Sequence, residues 1–185
     1  MSNTADSLAA RLIRNFNDAT LERQVREPLY DTLCARLGTG TAARKLGASV
    51  DTVAPGKRSC PYHCHHAEEE MFIVIEGSGT LRVAGEMLPL RTGDVVFIPP
   101  GPEYPHQIIN TSQAPLKYLS ISTHESPEIV EYPDSGKYLA EAFSAAGSGA
   151  GSGSGAGAGA GAGPVRTFNT VQQRRDSVDY WDGEP

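Results

Sequence analysis

Between residues 42 and 123 the chain changes between apolar and polar positions in short bursts. MFIVIEG, TLRVAG, DVVFIPPG, PHQIIN and LKYLSIST are β-branched and aromatic runs, and GSG, AGE, RTGD, PPGPEY and NTSQAP supply turn chemistry around them. Strands recurring at roughly ten-residue intervals, with no helical period between them, predict an all-β sandwich or barrel. Alternation also assigns faces. Glu70, Phe72 and Val74 share one face, and Met71, Ile73 and Ile75 share the other. His106, Ile108 and Asn110 fall together, as do Tyr118, Ser120 and Ser122. For the last set, inward and outward orientations are equally compatible with the pattern.

The flanks read differently. Residues 1–41 form an N-terminal extension in which Leu8, Leu12, Ile13 and Phe16 fit one face of a short helix, to be set against a partly ordered arm. Residues 124–143 form a second extension, where IVEYPDSGKYLAEAF has room for a short helix. Residues 144–163 are a Gly/Ala/Ser linker with glycine at every odd position from Gly147 to Gly163, too poor in apolar side chains to offset its ordering entropy. The tail, residues 164–185, carries Tyr180 and Trp181, an aromatic pair expected to dock on the body or a partner rather than end free.

Composition narrows the function. A net charge of -6 and a pI near 5.3 oppose nucleic-acid binding, which needs a clustered basic face. MSNTADSLAARLIRNF lacks the apolar core of a signal peptide, and no apolar run reaches membrane-spanning length. Cys34, Cys60 and Cys64 have no framework spacing, so reduced thiols and a cytoplasmic location are expected.

The stretch PYHCHHAEEE concentrates the chemistry. In an extended strand His63 and His65 aim at one face, while Cys64 and His66 aim at the other. Two imidazoles so placed can share a transition-metal ion, with Glu70 and His106 on neighbouring strands completing the set. The opposite register would pair Cys64 with His66, a softer set suited to zinc, but it loses the paired imidazoles and ranks lower. Glu69, His66 and His124 are read as surface residues. Tyr62, Glu103 and Tyr104 are candidates for proton transfer at the rim of the pocket.

Here the residues resemble a family. GKRSCPYHCHHAEEEMFIVIEG is similar to the first cupin motif, with His63, His65, Glu70 and Gly77 in its positions. GDVVFIPPGPEYPHQIIN is similar to the second, through Gly93, Pro99, Gly101, His106 and Asn110. The spacing departs twice: six residues separate Gly56 from His63 where the family has five, and four separate Gly101 from His106 where it has two. YPDSGK and the YWDGE ending resemble a bacterial group of single-cupin proteins. The resemblance implies a double-stranded β-helix (jelly-roll) barrel over residues 42–123, a homodimer, and one iron, manganese, nickel, zinc or cobalt ion held by His63, His65, Glu70 and His106.

Such a centre suits a metal-dependent enzyme of dioxygenase, lyase or isomerase type acting on a small molecule, and the competing class is a non-catalytic binding or structural module. No arginine cluster marks a phosphate clamp, which leaves sugar-phosphate isomerisation a minority expectation.

Overall fold

A computed structural model describes residues 4–144 and 165–174. The linker glycines and the Tyr180–Trp181 pair lie outside the described residues. Among those described, one helix, α1 (Thr4–Leu12), precedes thirteen strands. The largest sheet runs β1 (Glu22–Arg26), β2 (Tyr30–Arg36), β3 (Leu46–Val53), β10 (Leu116–Thr123), β5 (Glu70–Glu76), β8 (Val95–Ile98) in spatial order. A second sheet runs β13 (Val165–Gln173), β12 (Lys137–Ser144), β11 (Glu128–Tyr132), β4 (Cys64–His65). A third runs β7 (Glu86–Arg91), β6 (Ser78–Val83), β9 (His106–Ile109). Together they form the double-stranded β-helix barrel.

The core lies between the sheets and joins residues far apart in sequence: Val53, Phe72, Val74, Leu81, Leu90, Ile98, Ile108, Leu116 and Tyr118. Phe72 and Val74 point inward, as the alternation requires, and Glu70 shares their face. Tyr118 is buried edge-on to Phe72, with ring centroids 5.9 Å apart, which turns the Tyr118–Ser120 face into the barrel. Asn110 is fully buried and works as a staple: its Nδ2 donates to the Val53 and Ala114 carbonyls at 2.8 Å each, and its Oδ1 accepts from Ser112.

Strand structure extends beyond the stretch read as the barrel. β1 and β2 lie within the N-terminal extension, and β11 and β12 lie beyond Thr123. Lys137–Ser144 is a strand where a short helix was expected, because β11 and β13 pair with it on both sides and satisfy its backbone. α1 does form, yet none of its residues is buried, and Leu8 and Leu12 stand in the open. No helix among the described residues is long and apolar enough to cross a membrane.

Gly77 ends β5 with φ at +85°, and a Cβ there would run into the Pro115 carbonyl. Gly77→Ala combines left-handed strain with an overlap against backbone, so we expect a loss of about 2 kcal/mol or more in urea unfolding. A loss below about 0.5 kcal/mol would mean that the β10 entry loop yields freely.

Candidate metal centre

The site is assembled where two strand ends meet. His63 precedes the two-residue strand β4 and exchanges backbone hydrogen bonds with His106 at the start of β9, 3.1 Å and 2.7 Å long. β5 brings Glu70 in from the large sheet as its first residue. His63, Glu70 and His106 each offer a ligand atom, and these atoms lie within 4.8 Å of one another. His65 falls outside that tight set but addresses the same carboxylate.

Orientation is set one step out. The Nδ1 of His63 lies 2.8 Å from the Pro61 carbonyl, and the Nδ1 of His106 lies 3.2 Å from the Tyr104 carbonyl. A carbonyl only accepts, so both rings carry their proton on Nδ1 and leave Nε2 bare. The Nδ1 of His65 lies 3.4 Å from Glu128 Oε1. All three rings turn Nε2 toward one atom, Glu70 Oε2, at 3.9 Å for His63, 3.5 Å for His65 and 2.7 Å for His106.

That convergence fits a cation. Donor atoms about 2.1 Å from one ion sit roughly 3–4 Å from each other, and the observed separations bracket that range. Glu70 Oε2 and His106 Nε2 are both buried, and neither makes a hydrogen bond of acceptable geometry. Buried polar atoms without partners are costly, and an ion between them would satisfy both. Burial holds the His63 imidazole below its ordinary value, more than nearby Glu70 raises it, and neutral imidazole is the ligating form. Burial would raise Glu70, but the close approach of His106 and the neighbouring His65 and His63 outweigh it and hold the carboxyl low. His65 has the reverse balance: burial depresses it, while Glu128, Glu70 and Glu68 together raise it above its ordinary value.

Glu128 escaped the sequence analysis. It is 1% exposed, and its carboxylate accepts hydrogen bonds from the backbone N–H groups of His66 (3.0 Å), Ala67 (3.0 Å) and Glu68 (2.9 Å). This ties down the turn between His65 and Glu70. The signal was an acidic residue on the same strand face as Val130, a buried apolar position. Glu68 sits nearby, and burial raises its carboxyl to about 7.

A cavity of about 200 Å³ opens beside the ligands, lined on its far side by Ser49, Asp51, Tyr118 and Ser120. The rim candidates do not line it. The Tyr62 ring is buried under the Arg82 guanidinium at 3.7 Å and its hydroxyl accepts from the Gly85 N–H, while Glu103 and Tyr104 are exposed on the loop before β9. His66 is turned outward onto Glu131 at 3.0 Å, and Glu69 and His124 are exposed.

All three cysteines are free thiols. Burial is the main reason that Cys34 and Cys60 are each pushed up to about 12. At pH 8 their thiolate fraction is then about a thousandfold below that of an ordinary cysteine. Ellman's reagent is expected to label the folded protein correspondingly slowly and the urea-unfolded protein at once. Immediate labelling of the folded form would contradict the burial.

Comparison with known proteins places these features among relatives. A family model described as a cupin domain matches residues 49–122. An uncharacterized protein of Methanocaldococcus jannaschii is 33% identical over 86 residues, covering 44% of this chain and 67% of that one. An oxalate-binding protein of Thermotoga maritima is 31% identical over 67 residues, which span 36% of this chain and only 54% of the relative. Among solved structures, a protein provisionally called a sugar phosphate isomerase, from Acidithiobacillus ferrooxidans, is similar with a TM-score of 0.62 and 31% identity, covering 67% of this chain and 80% of that one.

Proposed function

The chain belongs to the cupin family, and on that premise we propose that it is a metal-dependent enzyme acting on a small molecule inside its barrel. His63, His65, Glu70 and His106 would hold one divalent ion, drawn from the iron, manganese, nickel, zinc and cobalt that the family favours. The observation that carries this reading is the convergence of three imidazole Nε2 atoms on a single buried carboxylate oxygen. Without a cation, those electron-rich atoms would face one another inside a low-dielectric barrel.

A bound ion of this kind polarises a carbonyl, acidifies water or, as iron, binds dioxygen. The chain's own residues supply the rest. Phe72 and Ile108 wall the cavity against water and strengthen its electrostatics. Ser49, Asp51 and Ser120 give the far side hydrogen-bonding groups that would orient a ligand. Dioxygenase, lyase and isomerase chemistries all fit, and the isomerase option draws support from the Acidithiobacillus relative. A second reading, capture without turnover, draws support from the oxalate-binding relative. A homodimer is also proposed, with Val95 and Phe97 exposed on edge strand β8 as apolar surface for it. The free thiols support a reducing, cytoplasmic setting.

Metal analysis by mass spectrometry on untagged protein tests the centre. We expect close to one ion per chain in the parent and loss of it in a His63→Ala/His65→Ala variant. A parent that stays metal-free after reconstitution with each of the five ions would sink the reading. With metal in place, turnover of a metabolite pool would mark an enzyme, and ligand-dependent melting without turnover a binder.

A further inference from the structure

From the lining of the cavity opposite the metal ligands, we infer that the barrel takes a small hydroxyl-bearing ligand without a phosphate group, recognised at its far end by Asp51 together with Ser49 and Ser120. The inference rests on the metal-centre reading, because the near end of the ligand would meet the ion.

Three observations carry it. First, the register places these groups on one inner surface. Asp51 lies opposite Tyr118 on β10 and opposite Cys34 on β2, while Ser120 lies opposite both Ser49 on β3 and Phe72 on β5. All but Cys34 line the cavity. Second, the groups are arranged to receive hydroxyls. Ser49 Oγ donates to Asp51 Oδ2 at 2.5 Å, which fixes the carboxyl, and the Ser120 hydroxyl has no hydrogen-bond partner among the described residues. Hydroxyl groups can both donate to a carboxyl and accept from a serine, so a polyhydroxy ligand would satisfy this end. Third, no lysine or arginine lines the cavity. The titratable groups near Asp51 are Cys34, Tyr118, Cys60 and Glu70, with Arg36 the one cation acting on it. Burial raises Asp51, a further sign that a second anion would be unwelcome there. A phosphate brought to this end would meet a carboxyl, with no lysine or arginine in the cavity wall to pair with it.

Size points the same way. At about 200 Å³ the cavity is below the ~300–1,000 Å³ typical of pockets for drug-sized ligands, and it suits a metabolite of a few carbons. The adjoining cavity, which shares Gln24, Ser59 and Cys60, does carry Arg23 and Arg26. Arg23, however, is already held by both oxygens of Asp31, and Arg26 donates to the Val25 carbonyl. Arg23 is thus already paired, and Arg26, though not paired with a carboxylate, lies in this adjoining cavity and not among the residues lining the one beside Glu70.

The experiment is calorimetric titration of metal-loaded protein with D-xylose, D-fructose and xylitol, with D-fructose 6-phosphate, and with oxalate. At least one uncharged compound is expected to bind saturably, and fructose 6-phosphate and oxalate at least about tenfold more weakly. Asp51→Asn should weaken that binding tenfold or more, as expected for loss of a charged hydrogen-bond acceptor. Ser49→Ala should weaken it less, and both variants should keep the parent's metal content. Tighter binding of the phosphate ester or of oxalate, no binding by any uncharged compound, or unchanged binding in both variants would overturn the inference. Failure of the metal-centre reading is seen separately, as a parent that takes up no ion before any compound is added.

Discussion

Glu70→Gln is expected to abolish the proposed metal binding. The substitution keeps the side chain's shape and removes only the charge on which His63, His65 and His106 converge. Loss of an outer partner typically lowers metal affinity 10–100-fold, and loss of the one anionic ligand should exceed that, falling by about a hundredfold or more. Two readouts separate this from misfolding. A bound ion stabilises the folded state in proportion to the logarithm of its concentration over Kd, so the parent's melting temperature should climb with added metal and the variant's should not. The metal-free variant should melt no lower than the metal-free parent, because the buried charge it removes has no ion to pair with. Full metal occupancy in Glu70→Gln would remove Glu70 from the ligand set.

Glu128→Ala is expected to be the most destabilising single change outside the core. It strands the backbone N–H groups of Ala67 and Glu68, which have no other acceptor among the described residues, and takes one of two acceptors from His66. His66 alone retains a partner, the Ile129 carbonyl at 2.9 Å. Unsatisfied buried donors and a lost charge-assisted network together point to about 3–5 kcal/mol in urea unfolding. Metal affinity should fall about 10–100-fold at the same time, since the Nδ1 side of His65 loses its carboxylate. Glu128→Gln sharpens the test. One amide oxygen can serve only one side of the turn, while the amide NH₂ meets N–H groups on the other, so this variant should lie between parent and alanine. A Glu128→Ala protein with parental stability and metal affinity would show that the turn holds itself.

Much of the barrel could be read from alternation because its strands have one buried face. Phe72 and Val74 against Met71 and Ile73 is a pattern with a single solution once one side must be dry. The residues proposed to hold the ion, at 63, 65, 70 and 106, could be picked out for the same reason, with glycine-rich turns marking the strand ends, and the structure brings His63, Glu70 and His106 together. The strands LGASVDTV and EIVEY were harder. Their inner faces mix Val53 with Asp51, which lines the cavity, and Val130 with Glu128, which holds a buried turn, so polar side chains facing inward erase the apolar signal. Tyr62 shows the converse problem: it was read as a rim residue, but it sits in the bend before β4 and its ring packs under Arg82.

β4 is only two residues long, and its sheet partner β11 comes more than sixty residues later in the chain. During synthesis His63, His65, Glu70 and His106 are therefore all made before the clamp that orders the turn between them. A vectorially growing chain carries the turn between His65 and Glu70 unclamped until Glu128 has emerged and β11 has paired with β4. The final form of that turn thus depends on strands made after every proposed ligand. A chain cut back to the family-matched residues 49–122 would keep every proposed ligand and lose the part that sets them.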